Sequence, residues 1–298
     1  IHHLLEKLDG SGYDDKETTT GIALTAANVT VGADQSKAYK GFTYNDAVTV
    51  EKAQNSGIIP GEGTLVLNLY YSRNRYTVTL KAGTGEDNYV SVPYEGKVTQ
   101  PEAPSRAGYT FTGWYVADQT PREWNFETDI ITENTTIYAG WTANTYNVTF
   151  NLQNGIGGDA NVQATYDSAM PQVVVPARAG YQFKGYFDAA DGGKQYYNAD
   201  GSSAANWDKS ESETDSFVLY AQWTTNTYTV TFDANGGSGT MEAQTMTYDT
   251  DMQLTKNTLT KEGYLFAGWA NEAGADSAAY ADEATVRNLT ANQGETLT

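Results

Sequence analysis

Polar and apolar residues alternate strictly in three short stretches of the chain. They read YTVTL at residues 76–80, YNVTF at 146–150 and YTVTF at 228–232. Because successive side chains of a strand point to opposite faces, tyrosine, valine and leucine or phenylalanine form one apolar face, and the threonines lie on the other. Each stretch therefore predicts a half-buried strand, which we term the opening strand of a repeat.

A second pattern, rich in glycine and aromatic residues, follows each opening strand. It reads GYTFTGWY at 108–115, GYQFKGYF at 180–187 and GYLFAGWA at 263–270, and we term it the box. Its first glycine is predicted to turn the chain into a strand, and its second to permit a bulge that re-aims the next aromatic residue. Since a module of about 70 residues buries little surface, core packing is the favoured role of these aromatics, and sugar-stacking platforms are the alternative.

The remaining landmarks define the module boundaries. A closing strand ends as IYAGW at 137–141 and as LYAQW at 219–223, whereas GETLT at 294–298 corresponds only to the beginning of a third closing strand. The sequence predicts repeats at residues 75–144, 145–226 and 227–298, the last without most of its closing strand. Residues 1–74 predict a variant module, with KGFTY at 40–44 in place of the box and LVLNLYY at 65–71 as its closing strand.

Three links of four residues join the modules. They read SRNR at 72–75, TANT at 142–145 and TTNT at 224–227, and the third residue is always asparagine: Asn74, Asn144 and Asn226. Asparagine tolerates the left-handed backbone region, so the links are predicted to be tight turns. Such short links cannot act as flexible tethers, which predicts a repeated angle between modules and an elongated rod.

The composition indicates a mostly β protein built of small modules. Tyrosine (22) and glycine (29) are abundant, and aromatic residues favour strands. One short helix is predicted at residues 276–286, with Asp276 as its N-cap. The pairs at Asn154 and Asn235, each followed by glycine, predict turns.

Charge and residue usage exclude several classes of function. Lys and Arg number 18 against 37 Asp and Glu, which argues against a nucleic-acid or anionic-membrane partner. The chain has no cysteine, and its two histidines are His2 and His3, so thiol chemistry and histidine-based triads are excluded. No apolar run is long enough to span a bilayer. The start at Ile1, without a signal peptide, predicts a piece of a longer polypeptide.

Candidate chemistry is sparse. No acidic pair recurs across the copies, which argues against a glycosidase, and the acidic loops at 9–15 and 188–194 lack the ligand spacing of a calcium site. No catalytic, cofactor or metal site is therefore predicted. Arg106, Arg178 and Lys261 each precede a box tyrosine by three residues. A solvated turn, or a cation packed on a ring of its own module, is the favoured interpretation, and a periodic basic spot for an acidic glycan or wall polymer is the alternative.

The order Y-x-V-x-F, P-x-R-x-G-Y-x-F-x-G-W and L-Y-A-x-W resembles the Listeria–Bacteroides repeat, or internalin B-repeat, in three copies from Arg75 to the end. The second copy has Tyr186 in place of tryptophan, and the third has Leu259 where the others have Pro104 and Pro176. The first module more loosely resembles a mucin-binding-protein module. The resemblance implies β-grasp-like modules on bacterial surface or secreted proteins, often Gram-positive and wall-anchored, with no catalytic residues to carry over.

We therefore expect a non-catalytic, monomeric segment of a bacterial cell-surface or secreted protein, anchored to the cell wall through a region outside it. Its repeats are expected to act as a stalk or as an adhesive array, with a host or bacterial surface glycan or protein as partner. Neither nucleic-acid binding nor membrane insertion of this segment is expected. The alternatives are a glycan-binding module that uses exposed aromatics and accessory repeats of a larger extracellular enzyme.

Overall fold

A computed structural model of the protein describes residues 1–116, 121–210 and 217–298, and these are mostly β. The chain divides into two compact units, Ile1–Thr142 and Ala143–Thr298. The first unit holds the variant module and the first repeat, and the second unit holds the second and third repeats. The two units are described separately below.

The variant module contains a four-stranded sheet, a two-stranded sheet and one short α-helix. Its elements are β1 (His2–Glu6), β2 (Tyr13–Thr18), β3 (Asn28–Thr30), a 3-10 helix (Ala33–Gln35), β4 (Phe42–Tyr44), α1 (Asp46–Glu51), β5 (Ser56–Ile58) and β6 (Asn68–Arg73). The larger sheet has the order β2-β1-β6-β4, in which β1 and β6 are parallel, and β3 pairs with β5. Its core is formed by Val31, Leu67, Leu69 and Tyr71.

The first and second repeats share one five-stranded plan. The strands of the first are β7 (Arg75–Lys81), β8 (Asn88–Pro93), β9 (Tyr109–Val116), β10 (Arg122–Glu123) and β11 (Thr135–Ala143). Those of the second are β12 (Thr145–Asn151), β13 (Asn161–Thr165), β14 (Tyr181–Phe187), β15 (Gln195–Tyr197) and β16 (Phe217–Thr225). The orders are β10-β9-β11-β7-β8 and β13-β12-β16-β14-β15. In both, the opening strand lies parallel to the closing strand, and the box strand lies on the other side of the closing strand. The four-stranded sheet of the variant module follows the same plan.

The third repeat is organised differently. Its strands are β17 (Thr227–Val230), β18 (Gln244–Thr247), β19 (Met252–Gln253), β20 (Thr285–Val286) and β21 (Thr296–Leu297). They form a three-stranded sheet, β18-β17-β21, and a separate pair, β19-β20. The strand β21 is parallel to β17, as the closing strands of the other repeats are to their opening strands. The box at 263–270 forms no strand here, and its Trp269 makes only an isolated bridge to Tyr280.

The alternation predicted for the opening strands is confirmed. Val78 and Val148 are fully buried, and Leu80 is nearly so, whereas Thr77 is exposed on the opposite face. The buried residues of each repeat form their own core cluster.

The predicted bulge is confirmed in the second repeat, and the turns predicted at the two Asn-Gly pairs are also confirmed. The second box glycine has a φ of 137° at Gly113, 140° at Gly185 and 137° at Gly268. In the second repeat the register between β14 and β16 shifts between Phe183 and Gly185. A Cβ on Gly185 would lie 2.2 Å from the Tyr197 carbonyl oxygen, so only glycine fits. The predicted turns at Asn154 and Asn235 have the left-handed backbone, with φ of 67° and 46°.

Two local predictions are wrong. Residues 276–286 form no helix, because Tyr280 exchanges main-chain hydrogen bonds with Trp269, and residues Thr285–Val286 belong to β20. The links are not left-handed turns either, since Asn74, Asn144 and Asn226 all lack a positive φ. One asparagine separates each closing strand from the next opening strand, as Asn74 does between β6 and β7. At Asn74 and Asn226, main-chain hydrogen bonds to both neighbouring modules replace those of a turn.

Candidate functional site

The aromatic residue that follows the second box glycine is buried in the first two repeats. Trp114 is 5% exposed, and Tyr186, at the same position in the second repeat, is completely buried. The rings of Phe183 and Trp223 pack edge to face with centroids 5.4 Å apart, and the Trp223 indole N–H donates to the Leu152 carbonyl oxygen at 3.1 Å. Core packing is therefore confirmed for Trp114 and Tyr186, and Phe111 and Phe183 pack against the same cores. The box tyrosines Tyr109 and Tyr181 are only partly buried. The prediction is wrong for the third box, where Tyr264 is 72% and Phe266 is 43% exposed.

The three periodic cations lie on the tyrosine rings of their own boxes. The guanidinium carbon of Arg106 is 3.9 Å from the centroid of Tyr109, and that of Arg178 is 3.7 Å from the centroid of Tyr181. The Lys261 ammonium is 5.0 Å from the centroid of Tyr264. The favoured interpretation of these cations is confirmed, and each covers one face of a ring that a sugar would otherwise need.

The second and third repeats are connected through Asn226. Its N–H donates to the Gly180 carbonyl oxygen at 2.8 Å, and its carbonyl oxygen accepts the Tyr248 N–H at 2.9 Å. The Tyr248 ring lies directly on the box glycine, since a Cβ on Gly180 would come within 2.1 Å of it. The Tyr181 hydroxyl also donates to Asp249 Oδ2 at 2.7 Å. We term this arrangement of box glycine, link asparagine and following tyrosine a joint.

The same joint connects the variant module to the first repeat. Asn74 donates to the Gly41 carbonyl oxygen at 2.8 Å and accepts from the Tyr94 N–H at 2.7 Å. A Cβ on Gly41 would again lie 2.1 Å from the tyrosine ring. This role of the link asparagine was not predicted from the sequence. The available signal was the tyrosine that recurs between opening strand and box, as at Tyr94 and Tyr248.

The two joints differ in their charges. At the first, Arg73 lies over the Phe42 ring at 4.6 Å and pairs with Glu95 at 3.0 Å. At the second, the corresponding acid, Asp249, pairs instead with Arg287 at 3.2 Å. Hydrogen bonds from the Asn288 amide, and then from the Tyr181 hydroxyl, lower the pKa of Asp249 to about 2.

An open groove of about 560 Å³ lies at the joint of the second and third repeats. Asn226 lines it and is 6% exposed. The Asn226 Nδ2 donates to the Ala291 carbonyl oxygen at 2.7 Å, whereas Oδ1 has no hydrogen-bond partner within the described ranges. The groove is also lined by Arg178, Tyr181, Phe183, Trp223 and Gln293. The groove thus combines aromatic, amide and guanidinium groups.

The acidic loops are held by their own hydrogen bonds. Asp9 accepts the Ser11 N–H at 2.9 Å, and Asp188 accepts the Lys194 N–H at 2.7 Å and pairs with Lys209 at 3.0 Å. In the part of the chain that the structure describes, no three His, Cys, Asp or Glu side chains are grouped as metal ligands. In the same part, no helix combines the length and apolarity that a membrane crossing needs.

Comparison with known proteins identifies the repeated modules. The model of the Listeria-Bacteroides repeat domain matches residues 76–140, 146–222 and 228–291, which together exceed half of the chain. A protein of Evansella cellulosilytica named "Putative Gly-rich membrane protein" is 30% identical over 270 residues, covering 88% of this chain and 30% of that protein. Internalin H of Listeria monocytogenes is 33% identical over 186 residues, covering 62% of this chain and 30% of that protein. The chain thus spans less than a third of the length of these relatives.

Proposed function

Because this chain belongs to the Listeria-Bacteroides repeat family, we propose that it is a non-catalytic segment of a bacterial cell-surface or secreted protein. Its repeats act as a stalk that projects other parts of the protein or presents them for attachment. The similarity to internalin H and to a protein named for the membrane supports a surface location. Anchoring to a Gram-positive cell wall, through a region outside this segment, belongs to the same proposal.

The repeated joint is the observation that carries this function. A stalk must pass orientation from one module to the next, and a flexible tether cannot do so. At both joints a single asparagine bonds to the module on either side, and an aromatic ring fills the space over a glycine. Bending such a joint would break two main-chain hydrogen bonds and open a packed contact, so each joint favours one angle.

The finer architecture follows from the same features. We propose that each module is a β-grasp-like unit and that the four modules of a monomer lie in file as an elongated rod. The first module, with its related sheet order of β2-β1-β6-β4, is proposed to be a mucin-binding-protein-like unit. Its contact with the first repeat through Asn74 and Gly41 makes it part of the same stalk.

Small-angle X-ray scattering of the whole chain tests this proposal. We expect an elongated particle with a narrow distribution of interatomic distances. The matched control carries four glycine and serine residues inserted after Asn226, which lengthens one link without changing any module, and we expect a broader distribution. A compact globule, or a native chain as variable as the control, would refute the stalk.

A further inference from the structure

We propose that the groove between the second and third repeats binds a carboxylated glycan and that Arg178 recognises its carboxylate. This inference goes beyond the stalk function, which requires no ligand. It rests on one cationic side chain that has no acidic partner among the described residues, and on the groups that surround that side chain.

Among the described residues Arg178 has no acidic partner, although the chain has a net charge of −19. Within the described ranges it forms no ion pair, and its guanidinium makes one hydrogen bond, to the Gln153 carbonyl oxygen at 3.3 Å. Stacking on Tyr181 occupies a face of the planar group but leaves its edge N–H donors free. A guanidinium held flat with free edge donors is preorganised for two parallel hydrogen bonds to a carboxylate.

The first joint also holds an arginine over a ring, but this residue, Arg73, belongs to the link and not to the position three residues before the box aromatic that Arg178 occupies. There the stacked arginine, Arg73, is paired with Glu95, so the joint neutralises its own cation. The acid at the corresponding position of the second joint, Asp249, is held by Arg287 and Asn288. Asp249 is thus engaged elsewhere, and among the described residues Arg178 has no acidic partner, so its charge is available to an external anion.

The rest of the groove favours a sugar over an acidic peptide. Phe183 and Trp223 supply apolar ring surface, and Asn226 and Gln293 supply amides, which is the mixture that holds the hydroxyls and C–H faces of a saccharide. The volume of about 560 Å³ is in the range of small-ligand sites. Extended peptides usually bind by adding a strand to a sheet edge. The edge strands of the second repeat, β13 and β15, do not line the groove.

The test is a calorimetric titration of the whole chain with tetragalacturonate, a carboxylated tetrasaccharide. Neutral maltotetraose and the acidic peptide tetraglutamate serve as comparison ligands. We expect saturable binding of tetragalacturonate alone. Loss of a charge-assisted hydrogen bond in Arg178→Gln should weaken it at least about tenfold. Lys261→Gln is the matched control, because Lys261 has the same place in its repeat but does not line this groove.

Several results would overturn the proposal. They are absence of tetragalacturonate binding, equal binding of maltotetraose or tetraglutamate, and an unchanged affinity in Arg178→Gln. Arg178→Lys keeps the positive charge but cannot form two parallel hydrogen bonds to a carboxylate. We therefore expect its affinity for tetragalacturonate to lie between those of the native chain and Arg178→Gln. Circular dichroism establishes that each variant is folded, and Arg178→Lys carries the test if Arg178→Gln is not. Failure here leaves the stalk untouched, since that function is tested by scattering.

Discussion

The second and third repeats contain nearly the same box, but only the second folds it into a strand. In the second repeat, β14 pairs with β16 along its length, from Tyr181 opposite Thr225 to Phe187 opposite Tyr220. In the third repeat, β21 comprises Thr296–Leu297, and Leu297 lies where Phe217 lies in the second. In the second repeat, the residues that pair with the box strand are 220–225, which lie beyond Phe217. The third repeat would need the residues that follow Leu297 in the same way.

The difference separates what the box encodes alone from what it gains from a partner. The first glycine has a φ of 78° at Gly180 and 74° at Gly263, so the entry turn is the same in both repeats. The second glycine also has nearly the same φ in both boxes, 140° at Gly185 and 137° at Gly268. Trp269 forms a bridge to Tyr280, just as Tyr186 pairs with Tyr197. Turn geometry and the local bridge are thus local properties, whereas the strand requires hydrogen-bond partners on the closing strand.

The solvent exposure of the box side chains also differs between the second and third repeats. Tyr264 is 72% exposed, whereas Tyr181 at the same position of the second repeat is partly buried. Leu265 is 96% exposed and stands where the second repeat has the exposed polar residue Gln182. Phe266 is 43% exposed because no tryptophan covers it as Trp223 covers Phe183. The closing strand therefore contributes side-chain cover as well as main-chain bonds.

The largest effect should come from giving the second repeat the closing strand of the third. A chain that ends at Val218 keeps the positions that β21 occupies and removes the partners of β14. We expect residues 181–187 to lose their protection from hydrogen exchange and the core around Trp207 to lose cooperative unfolding. A chain that ends at Thr225 is the control, and it should keep both.

The reverse change tests the same point in the third repeat. Adding LYAQWTT, the sequence of residues 219–225, after Thr298 supplies the missing partners. We expect new protection at residues 264–270 and a higher melting temperature. If protection of the box is the same with and without the added residues, the assignment of β21 as the start of a closing strand is wrong.

The sequence revealed the features that depend on neighbouring residues. Alternation identified the opening strands, and glycine placement identified the bulge at Gly185, because both are local in origin. It missed the joint, although the link asparagine and the tyrosine that follows it both recur, because spacing alone does not show that Asn226 bonds to the modules on both sides. The helix expected at 276–286 failed because pairing of Tyr280 with Trp269 overrides local propensity. The α-helix that the structure does contain, Asp46–Glu51, was not predicted from the sequence, because it is only six residues long and includes β-branched side chains.

Removing the box tryptophan should be costly in a complete repeat and less so in the third. Trp114→Ala empties a site in the core of the first repeat and should cost about 3–5 kcal/mol of its unfolding free energy. Trp269 is only partly buried, so Trp269→Ala should cost less. Urea unfolding followed by hydrogen exchange assigns each loss to its repeat, and neighbouring modules should stay folded. An unchanged stability in Trp114→Ala would contradict its place in the core.

Replacing the first box glycine should distinguish a joint from a free box. Gly180 and Gly263 have the same left-handed backbone, so alanine at either position should cost about 1 kcal/mol from strain alone. Alanine at 180 also meets the Tyr248 ring, whereas nothing lies within 4 Å of the position at 263. Gly180→Ala should therefore cost a further 1–3 kcal/mol, roughly the penalty of overpacking. Thermal unfolding of the two variants gives the difference, and equal losses would mean that the Tyr248 contact is absent.

The smallest effect is a titration at the joint. The pKa of Asp249 is lowered to about 2 from an ordinary 3.8, first by the Asn288 amide and then by the Tyr181 hydroxyl. Because the folded-state pKa is depressed, the stabilisation by ionised Asp249 is present above about pH 4 and is lost as the pH falls toward 2. In an NMR titration, the Asp249 carboxyl carbon and the Tyr181 ring should therefore change together near pH 2. Tyr264, at the corresponding position of the third box, should show no such step, and neither should Tyr181 in Asp249→Asn. An Asp249 midpoint near 3.8 would mean that the hydrogen bonds across the joint do not hold the carboxylate in solution.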